Sequence, residues 1–155
     1  MSGNVVDYDP KQVICTWTPL SPGIGSINVN QGIAEGTFIN VSREKPVYAK
    51  SMGSDGEGTR VRSTDKSGTI TVTLRAGSKT NDLLSTVLQV AENTGLGNLG
   101  PILVKDFTGR SLSSSPQAYL EGWPDTEFAD DESDNDWVFI CHNLIIFKGG
   151  QKDAA

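Results

Sequence analysis

The sequence predicts a mainly β (α+β) fold of two packed antiparallel sheets or a flattened barrel, with one flanking α-helix at about residues 80–93. Short runs of β-forming residues alternate with turn residues, and the 155 residues include 17 Gly and 7 Pro. Residues 69–76 alternate between apolar and polar side chains, which is typical of a strand with one buried face. A single segment has clear helical periodicity, so strands must supply most of the core.

Six strands are predicted before the helix. They cover residues 12–18, 26–29, 37–42, 47–52, 59–63 and 69–76, with proline or glycine turns between them. The segment between the fourth and fifth strands has glycine at three of six positions, so it must turn sharply or stay mobile. In the sixth strand Ile70, Val72 and Leu74 face the core, and the threonines between them face water or a partner.

The helix is predicted from one apolar face that repeats with a 3.6-residue period. This face consists of Leu83, Leu84, Val87, Leu88 and Ala91. Thr80 or Asn81 is expected to cap the start, and Gly95 stands where a C-terminal glycine belongs. A helix of this length is marginal alone, so it must pack on a sheet.

The last third of the chain is predicted to hold three more strands. A strand at 101–107 leads to a serine-rich turn at 111–116, a strand at 117–123 and an acidic loop at 125–136. The final run, residues 137–148, is apolar on both faces, which indicates burial on both. The whole chain, 1–155, is expected to form one domain with flexible ends at about 1–10 and 149–155.

Charge and hydropathy exclude two classes of function. The net charge is −6 and the isoelectric point is about 4.7, so the chain is not expected to bind nucleic acid by neutralising phosphates. No apolar run approaches the roughly 18 residues that a membrane-spanning helix needs. The first ten residues lack the basic and apolar regions of a secretory signal, so synthesis and folding in a cytoplasm are expected.

No catalytic or metal-binding motif is found, so neither enzymatic activity nor a cofactor is expected. His142 is the sole histidine and lies within an apolar run, and the acidic loop does not match the calcium-binding EF-hand spacing. Cys15 and Cys141 each lie in a strand-like run and are expected to be buried free thiols, although the sequence leaves open whether they pair.

Charged residues are distributed unevenly along the chain. Eight basic residues fall between positions 43 and 79, whereas the loop at 125–136 is acidic. In an oligomer, one positive and one negative surface could meet and set the orientation of the subunits.

Five short motifs, in this order, resemble a family of phage structural proteins. They are a "GADGEG"-like turn at 53–58, a "G-x-(I/V)-(T/S)-V-x-L" strand at 68–74, an "N-x-x-L" helix start at 81–84, a "D-x-x-G" turn at 106–109 and an "N-x-W-x-F" strand entry at 135–139. The resemblance covers most of the chain, about residues 10–148. This family looks like the tail-tube subunits of contractile-tailed bacteriophages.

The resemblance implies a structural subunit of a virion tail, made in the host bacterial cytoplasm. It implies self-assembly into hexameric rings that stack into a tube, through which DNA is ejected without specific binding. Tail sheath, tape-measure and baseplate proteins are the further partners that it implies.

Two groups of residues are predicted to matter for such a role. Inter-ring or inter-subunit contacts are expected at Gly53, Ser54, Asp55, Gly56, Glu57, Gly58, Arg60 and Arg62. An acidic lumen or surface loop, which would repel passing DNA, is expected at Asp130, Asp131, Glu132, Asp134 and Asp136.

Two other functions are considered. A monomeric β-sandwich binding module, or a baseplate accessory module of a virion, would show exposed aromatic residues on one face; Trp17, Trp123 and Trp137 instead stand beside apolar strands. A small hydrolase is disfavoured by the lone histidine and the lack of a nucleophile motif.

Overall fold

The computed structural model describes residues 13–21, 23–29, 39–106, 109–126, 128 and 133–150. These residues form ten strands and one helix, which confirms the mainly β class with a single helix. In chain order the elements are β1 (Val13–Trp17), β2 (Ile27–Asn28), β3 (Ile39–Arg43), β4 (Tyr48–Met52), β5 (Gly58–Arg62), β6 (Gly68–Arg75), α1 (Thr80–Thr94), β7 (Gly100–Asp106), β8 (Leu112–Leu120), β9 (Asp134–His142) and β10 (Ile145–Phe147).

Eight of the strands form one antiparallel sheet. The hydrogen-bonded order is β2-β1-β7-β8-β9-β6-β3, and β10 pairs with β8 alongside this path. The other two strands, β4 and β5, pair only with each other and form a separate ribbon. The sequence left open two packed sheets or a flattened barrel, and a single continuous sheet is closer to the flattened barrel.

The sheet curls strongly over its own core. In the strand order β1 and β9 are three steps apart, which in a flat sheet is about 14 Å. The ring centroids of Trp17 on β1 and Phe139 on β9 are nevertheless only 5.0 Å apart, in an edge-to-face contact. The Trp17 indole N–H also donates to the Ala118 carbonyl on β8, at 3.2 Å. The concave face of the sheet is therefore the hydrophobic core.

The helix buries part of its predicted apolar stripe, but Leu83, which the sequence placed on that face, is 43% exposed. Leu84, Val87 and Leu88 are buried, and Gly95 takes the left-handed conformation and donates its N–H to the Ala91 carbonyl at 2.7 Å. The predicted N-terminal cap is wrong, because Lys79 occupies the cap position without a side-chain cap bond.

Asn81 has another role in place of capping. Its side-chain amide donates to the Arg75 carbonyl at 2.9 Å, and its side-chain oxygen accepts from the Trp137 indole at 2.8 Å. These two bonds fasten the first turn of the helix to β6 and β9.

The serine-rich segment is a strand, so the turn predicted at 111–116 is wrong. Ser113 and Ser115 are buried in β8. The Ser115 hydroxyl donates to the His142 carbonyl and accepts from the Gln117 N–H at 3.3 Å, so burial leaves it hydrogen-bonded. Serine favours turns because its hydroxyl can bond nearby backbone, and here a carbonyl of β9 gives the hydroxyl a partner within the sheet.

The final apolar run is two strands, so the prediction of one strand buried on both faces is wrong. Asn143 has a positive φ of 53° and separates β9 from β10. Side chains at 116–117 on β8, and at 142–143 where β9 ends, are exposed in pairs, so the alternation shifts by one residue within β8 and between β9 and β10. As a result Leu144 points into the core, whereas Ile145 and Phe147 are 54% and 60% exposed.

The structure describes the predicted acidic loop and the C-terminal end of the chain only in part. Asp134, Asn135 and Asp136 open β9, so the loop at 125–136 ends earlier than predicted. At the C-terminal end the Gly149 N–H donates to the Ser111 hydroxyl at 3.2 Å, and the Arg110 N–H donates to the Gly150 carbonyl at 3.0 Å. Residues 1–10 and 151–155 lie outside the described residues.

Leu84→Asp is expected to unfold the subunit, because it places an unpaired charge in the packed face of the helix. We expect a loss of roughly 3–5 kcal/mol in the free energy of unfolding, measured by urea denaturation followed by circular dichroism. Leu83→Asp is the matched control, since Leu83 is 43% exposed and lies in the first turn of α1, where a carboxylate is favourable. Equal stabilities of the two variants would contradict this packing.

The two cysteines are buried free thiols, as predicted. Burial, with a smaller contribution from the neighbouring Cys141, raises the pKa of Cys15 to about 12, and burial raises the pKa of Cys141 to about 11. An ordinary thiol pKa is 9.0. Between these values the unfolded chain loses its thiol protons and the folded chain keeps them, so stability must fall as pH rises.

We therefore expect the urea midpoint to drop as the pH rises from about 9 towards about 11, and the drop to be smaller in a Cys15→Ala, Cys141→Ala double variant. Neither native thiol should react with a thiol reagent at neutral pH without denaturant. Rapid labelling of the folded protein would refute the burial of these side chains.

Candidate assembly surfaces

The β4–β5 ribbon is an arm that stands apart from the curled sheet. Its strands pair from Tyr48 opposite Arg62 to Met52 opposite Gly58, and all ten of their residues are exposed. At its base the Ser63 N–H donates to the Val47 carbonyl at 2.8 Å. We call residues 48–62 the hairpin. Its shaft was predicted as two strands, but its separation from the sheet was not.

The tip of the hairpin is an ordered turn. The glycine content predicted either a sharp turn or a mobile segment, and the structure has the turn. The Gly53 N–H donates to the Glu57 carbonyl at 2.8 Å, and the Gly56 N–H donates to the Gly53 carbonyl at 3.1 Å. Asp55 accepts from the Glu57 N–H at 3.1 Å. Gly56 has a φ of 87°, which side chains rarely tolerate. The tip therefore holds two exposed carboxylates in a defined turn.

One face of the hairpin collects positive charge. Lys50 lies directly opposite Arg60, and Tyr48 lies opposite Arg62, so these four side chains share a face. The Arg60 guanidinium carbon is 4.6 Å from the centroid of the Tyr48 ring, a cation–π contact. The structure thus joins the predicted contact residues Arg60 and Arg62 to Lys50, one of the eight basic residues noted between 43 and 79, and to Tyr48, which only the strand register places beside them.

The predicted acidic group is described in part. Asp134 and Asp136 begin β9, where Asp136 accepts a 2.7 Å hydrogen bond from the Thr73 hydroxyl. Asp130, Asp131 and Glu132 lie outside the described residues. The assignment of these residues to a lumen or surface loop stays a prediction.

The convex face of the sheet carries exposed apolar side chains that the sequence did not predict. Leu103 on β7 and Ile145 on β10 both lie opposite Ser114 of β8, and Leu112 lies opposite Phe147 in the next row. The four apolar side chains are between 38% and 60% exposed. A contiguous apolar patch of this kind is typical of a contact surface.

Few side chains in the described part of the chain are placed for metal binding or catalysis. It contains no group of three or more His, Cys, Asp and Glu side chains that could hold a metal ion. His142 is exposed at the end of β9, where its ring lies 5.7 Å from the Tyr119 ring. Among the described helices, none is long and apolar enough to cross a membrane.

Lys50→Glu is expected to stabilise the hairpin locally. It replaces a like-charged pair by an opposite pair on the same face, a change worth roughly 0.2–1 kcal/mol. Hydrogen exchange of the backbone amides in residues 48–62 should slow, whereas the control Lys66→Glu, an exposed change outside the hairpin, should leave these amides unaffected. Faster exchange in Lys50→Glu would show that the pairing register is different.

Comparison with known proteins points in one direction. No protein-family model matches the chain. The structural protein ORF10 of Pseudomonas phage KPP10 is 28% identical over 156 residues, which cover 100% of this chain and 89% of that protein.

Two solved structures share the fold at low sequence identity. The tube-terminating cap of the anti-feeding prophage has a TM-score of 0.57 and 8% identity, and the match covers 95% of both chains. The sheath/tube terminator of the extracellular contractile injection system PVC, in its extended state, has a TM-score of 0.52 and 11% identity, with 93% of this chain and 100% of that chain covered. The chain is thus similar along its whole length to a phage structural protein, and it has the fold of two tube terminators of contractile injection systems.

Proposed function

We propose that the chain is a structural subunit of a phage tail tube, and that its copies close into a hexameric ring around a channel for DNA. The main support for this proposal is the exposed hairpin. A ribbon of two strands is at best marginally stable alone in water, and this one is exposed on both faces. Lys50, Arg60 and Arg62 form no ion pair with any described residue. Such an arm is suited to a contact outside its own subunit.

The edges of the curled sheet support the same proposal. β3 pairs only with β6, and β2 pairs only with β1, so each presents an unpaired edge in the described sheet. Edge strands are association sites unless they are covered. An arm on one part of the surface and edges on another suit a head-to-tail contact, and such contacts generate a ring where the rotation between copies closes.

A ring of this kind can have one of two places in the tail. It can be one of many stacked rings that form the conduit for DNA ejection, as the sequence resemblance implies. It can also be the single ring that ends the tube, and the whole-chain likeness to two tube terminators favours this second candidate.

In either place, the acidic composition suits a channel for DNA. Each chain carries −6, so a hexameric ring carries −36. Repulsion between like charges keeps DNA from binding as it passes. The subunit would belong to the virion tail, with tube, sheath, tape-measure and baseplate proteins as its neighbours, and it would need no cofactor.

Negative-stain electron microscopy over a concentration series, with light scattering on the same samples, tests the proposal. Stacked rings or tubes with an open centre indicate a tube subunit, and single rings that do not stack at any concentration indicate a terminator. A monodisperse monomer at every concentration, even with preformed tube ends added, would contradict both and favour the monomeric binding or baseplate accessory module.

Deletion of residues 54–57 is expected to abolish association while the subunit remains folded. The tip makes its hydrogen bonds within the hairpin, so its removal leaves the core untouched. Circular dichroism should match the wild type, and light scattering should report monomers at concentrations where the wild type assembles. Lys66→Glu is the control and should assemble normally. Assembly of the deletion variant to normal size would refute a role for the tip.

A further inference from the structure

A small pocket lies beside the start of α1 and the start of β9. Its volume is about 290 Å³, at the lower end of the roughly 300–1,000 Å³ typical of ligand pockets, so its size suits a ligand with a single ring. The lining comes from the first two turns of α1, from the segment 123–128 that follows β8, and from the first residues of β9. We call it the tryptophan pocket.

Aromatic rings form the apolar part of the tryptophan pocket. Trp123 is 44% exposed and Phe128 is 95% exposed, whereas Trp137 is almost fully buried, with its ring centroid 6.2 Å from that of Trp123. The Trp123 indole N–H donates to a Glu92 carboxylate oxygen, so the ring is held in place and leaves apolar surface open to the pocket. Exposed aromatic residues on one face were the expected mark of a binding module, and this pocket carries two of them.

Three uncharged polar side chains line the same pocket with unused hydrogen-bonding capacity. They are the Ser85 hydroxyl, the Thr126 hydroxyl and the Asn135 amide. None of the three forms a side-chain hydrogen bond with a described residue. Each can both donate and accept a hydrogen bond. Asn81 also lines the pocket, but its amide is engaged in the bonds described above.

The charge of the pocket restricts the class of ligand. No described residue that lines it is charged, so it lacks the partner that a bound anion or cation requires. The exposed carboxylates of Asp125 and Asp134 stand next to lining residues in the chain and further disfavour an anion. A purely apolar ligand would leave the three polar side chains without partners.

A neutral sugar has the chemistry that remains. Its hydroxyl groups donate and accept hydrogen bonds, as the three free polar side chains do. Its C–H edges carry a small positive charge and pack on the negative face of an aromatic ring. A ligand of this class therefore uses both the apolar and the polar parts of the tryptophan pocket.

We propose that the tryptophan pocket binds one ring of a neutral carbohydrate. The Trp123 ring packs on the C–H face of the sugar, and Phe128 contacts its rim. Ser85, Thr126 and Asn135 hydrogen-bond to its hydroxyl groups. The pocket includes no residue of the hairpin and no residue of β2 or β3, so this inference does not depend on the proposed ring.

Titration of the full chain with two neutral trisaccharides, maltotriose and triacetylchitotriose, tests the proposal. Saturation-transfer NMR should show the strongest transfer to the C–H protons of one sugar ring, and tryptophan fluorescence should change as the site fills. We expect a dissociation constant of about 1 mM, because a site for one ring makes few contacts. Sialyllactose, which is anionic, should bind at least about tenfold more weakly.

Variants of the pocket identify the groups that bind. Trp123→Ala should weaken binding by at least about tenfold, whereas Trp123→Phe keeps an aromatic ring and should retain most of the affinity. Asn135→Ala should weaken binding by about fivefold. Phe147→Ala is the matched control, since it removes an exposed ring on the convex face, and it should bind as the wild type does. Circular dichroism checks that each variant is folded.

The outcomes separate this inference from the proposed function. Absence of binding to both neutral sugars at about 20 mM would overturn the inference, and so would equal binding by the wild type and Trp123→Ala. Loss of assembly in Trp123→Ala, with no sugar bound by the wild type, would assign this ring to a contact between subunits. Sugar binding by a chain that never forms rings supports the inference and overturns the ring.

Discussion

The contact between Trp17 and Phe139 determines the shape on which every other surface depends. It joins strands that a flat sheet would hold far apart, and the indole bond to the Ala118 carbonyl satisfies the one polar group of the buried ring. The sheet thereby encloses a core with its concave face alone. Its convex face and its edges remain available, and β10, which continues the position of β9 beside β8, lines a common groove with β3.

The alternation of buried and exposed side chains shifts within β8 and, opposite it, between β9 and β10. Two adjacent exposed residues, at 116–117 and again at 142–143, reverse which side chains face the core. Because both shifts lie opposite each other, β8 stays in antiparallel pairing with β9 before them and with β10 after them. Leu144 stays in the core, and its N–H donates to the Lys66 carbonyl at 2.8 Å. Ile145 and Phe147 turn outward. One break in the strand thus supplies both an inner wall for the groove and an apolar convex face.

Local patterns predicted local structure well, and long-range contacts account for the errors. The alternation at 69–76 and the helical period at Leu84 and Val87 needed no tertiary information, and both predictions hold. The serine-rich strand was missed because its pairing with β9 is not visible locally: the Ser115 hydroxyl donates to a carbonyl 27 residues away. The glycine-rich tip was predicted, but the groove depends on Arg43 and Leu144, which are 101 residues apart, so no sequence pattern reveals it.

Charge distribution explains why assembly would need a defined contact rather than general adhesion. Copies that each carry −6 repel one another at a distance, so an apolar patch alone works against a long-range barrier. The hairpin, with three cations and two carboxylates, departs locally from that excess. Its carboxylates are at the tip and its cations along the shaft, so its orientation on a partner has a strong electrostatic preference. Complementarity of this kind selects register and partner more than it adds affinity, and a ring needs one register repeated without error.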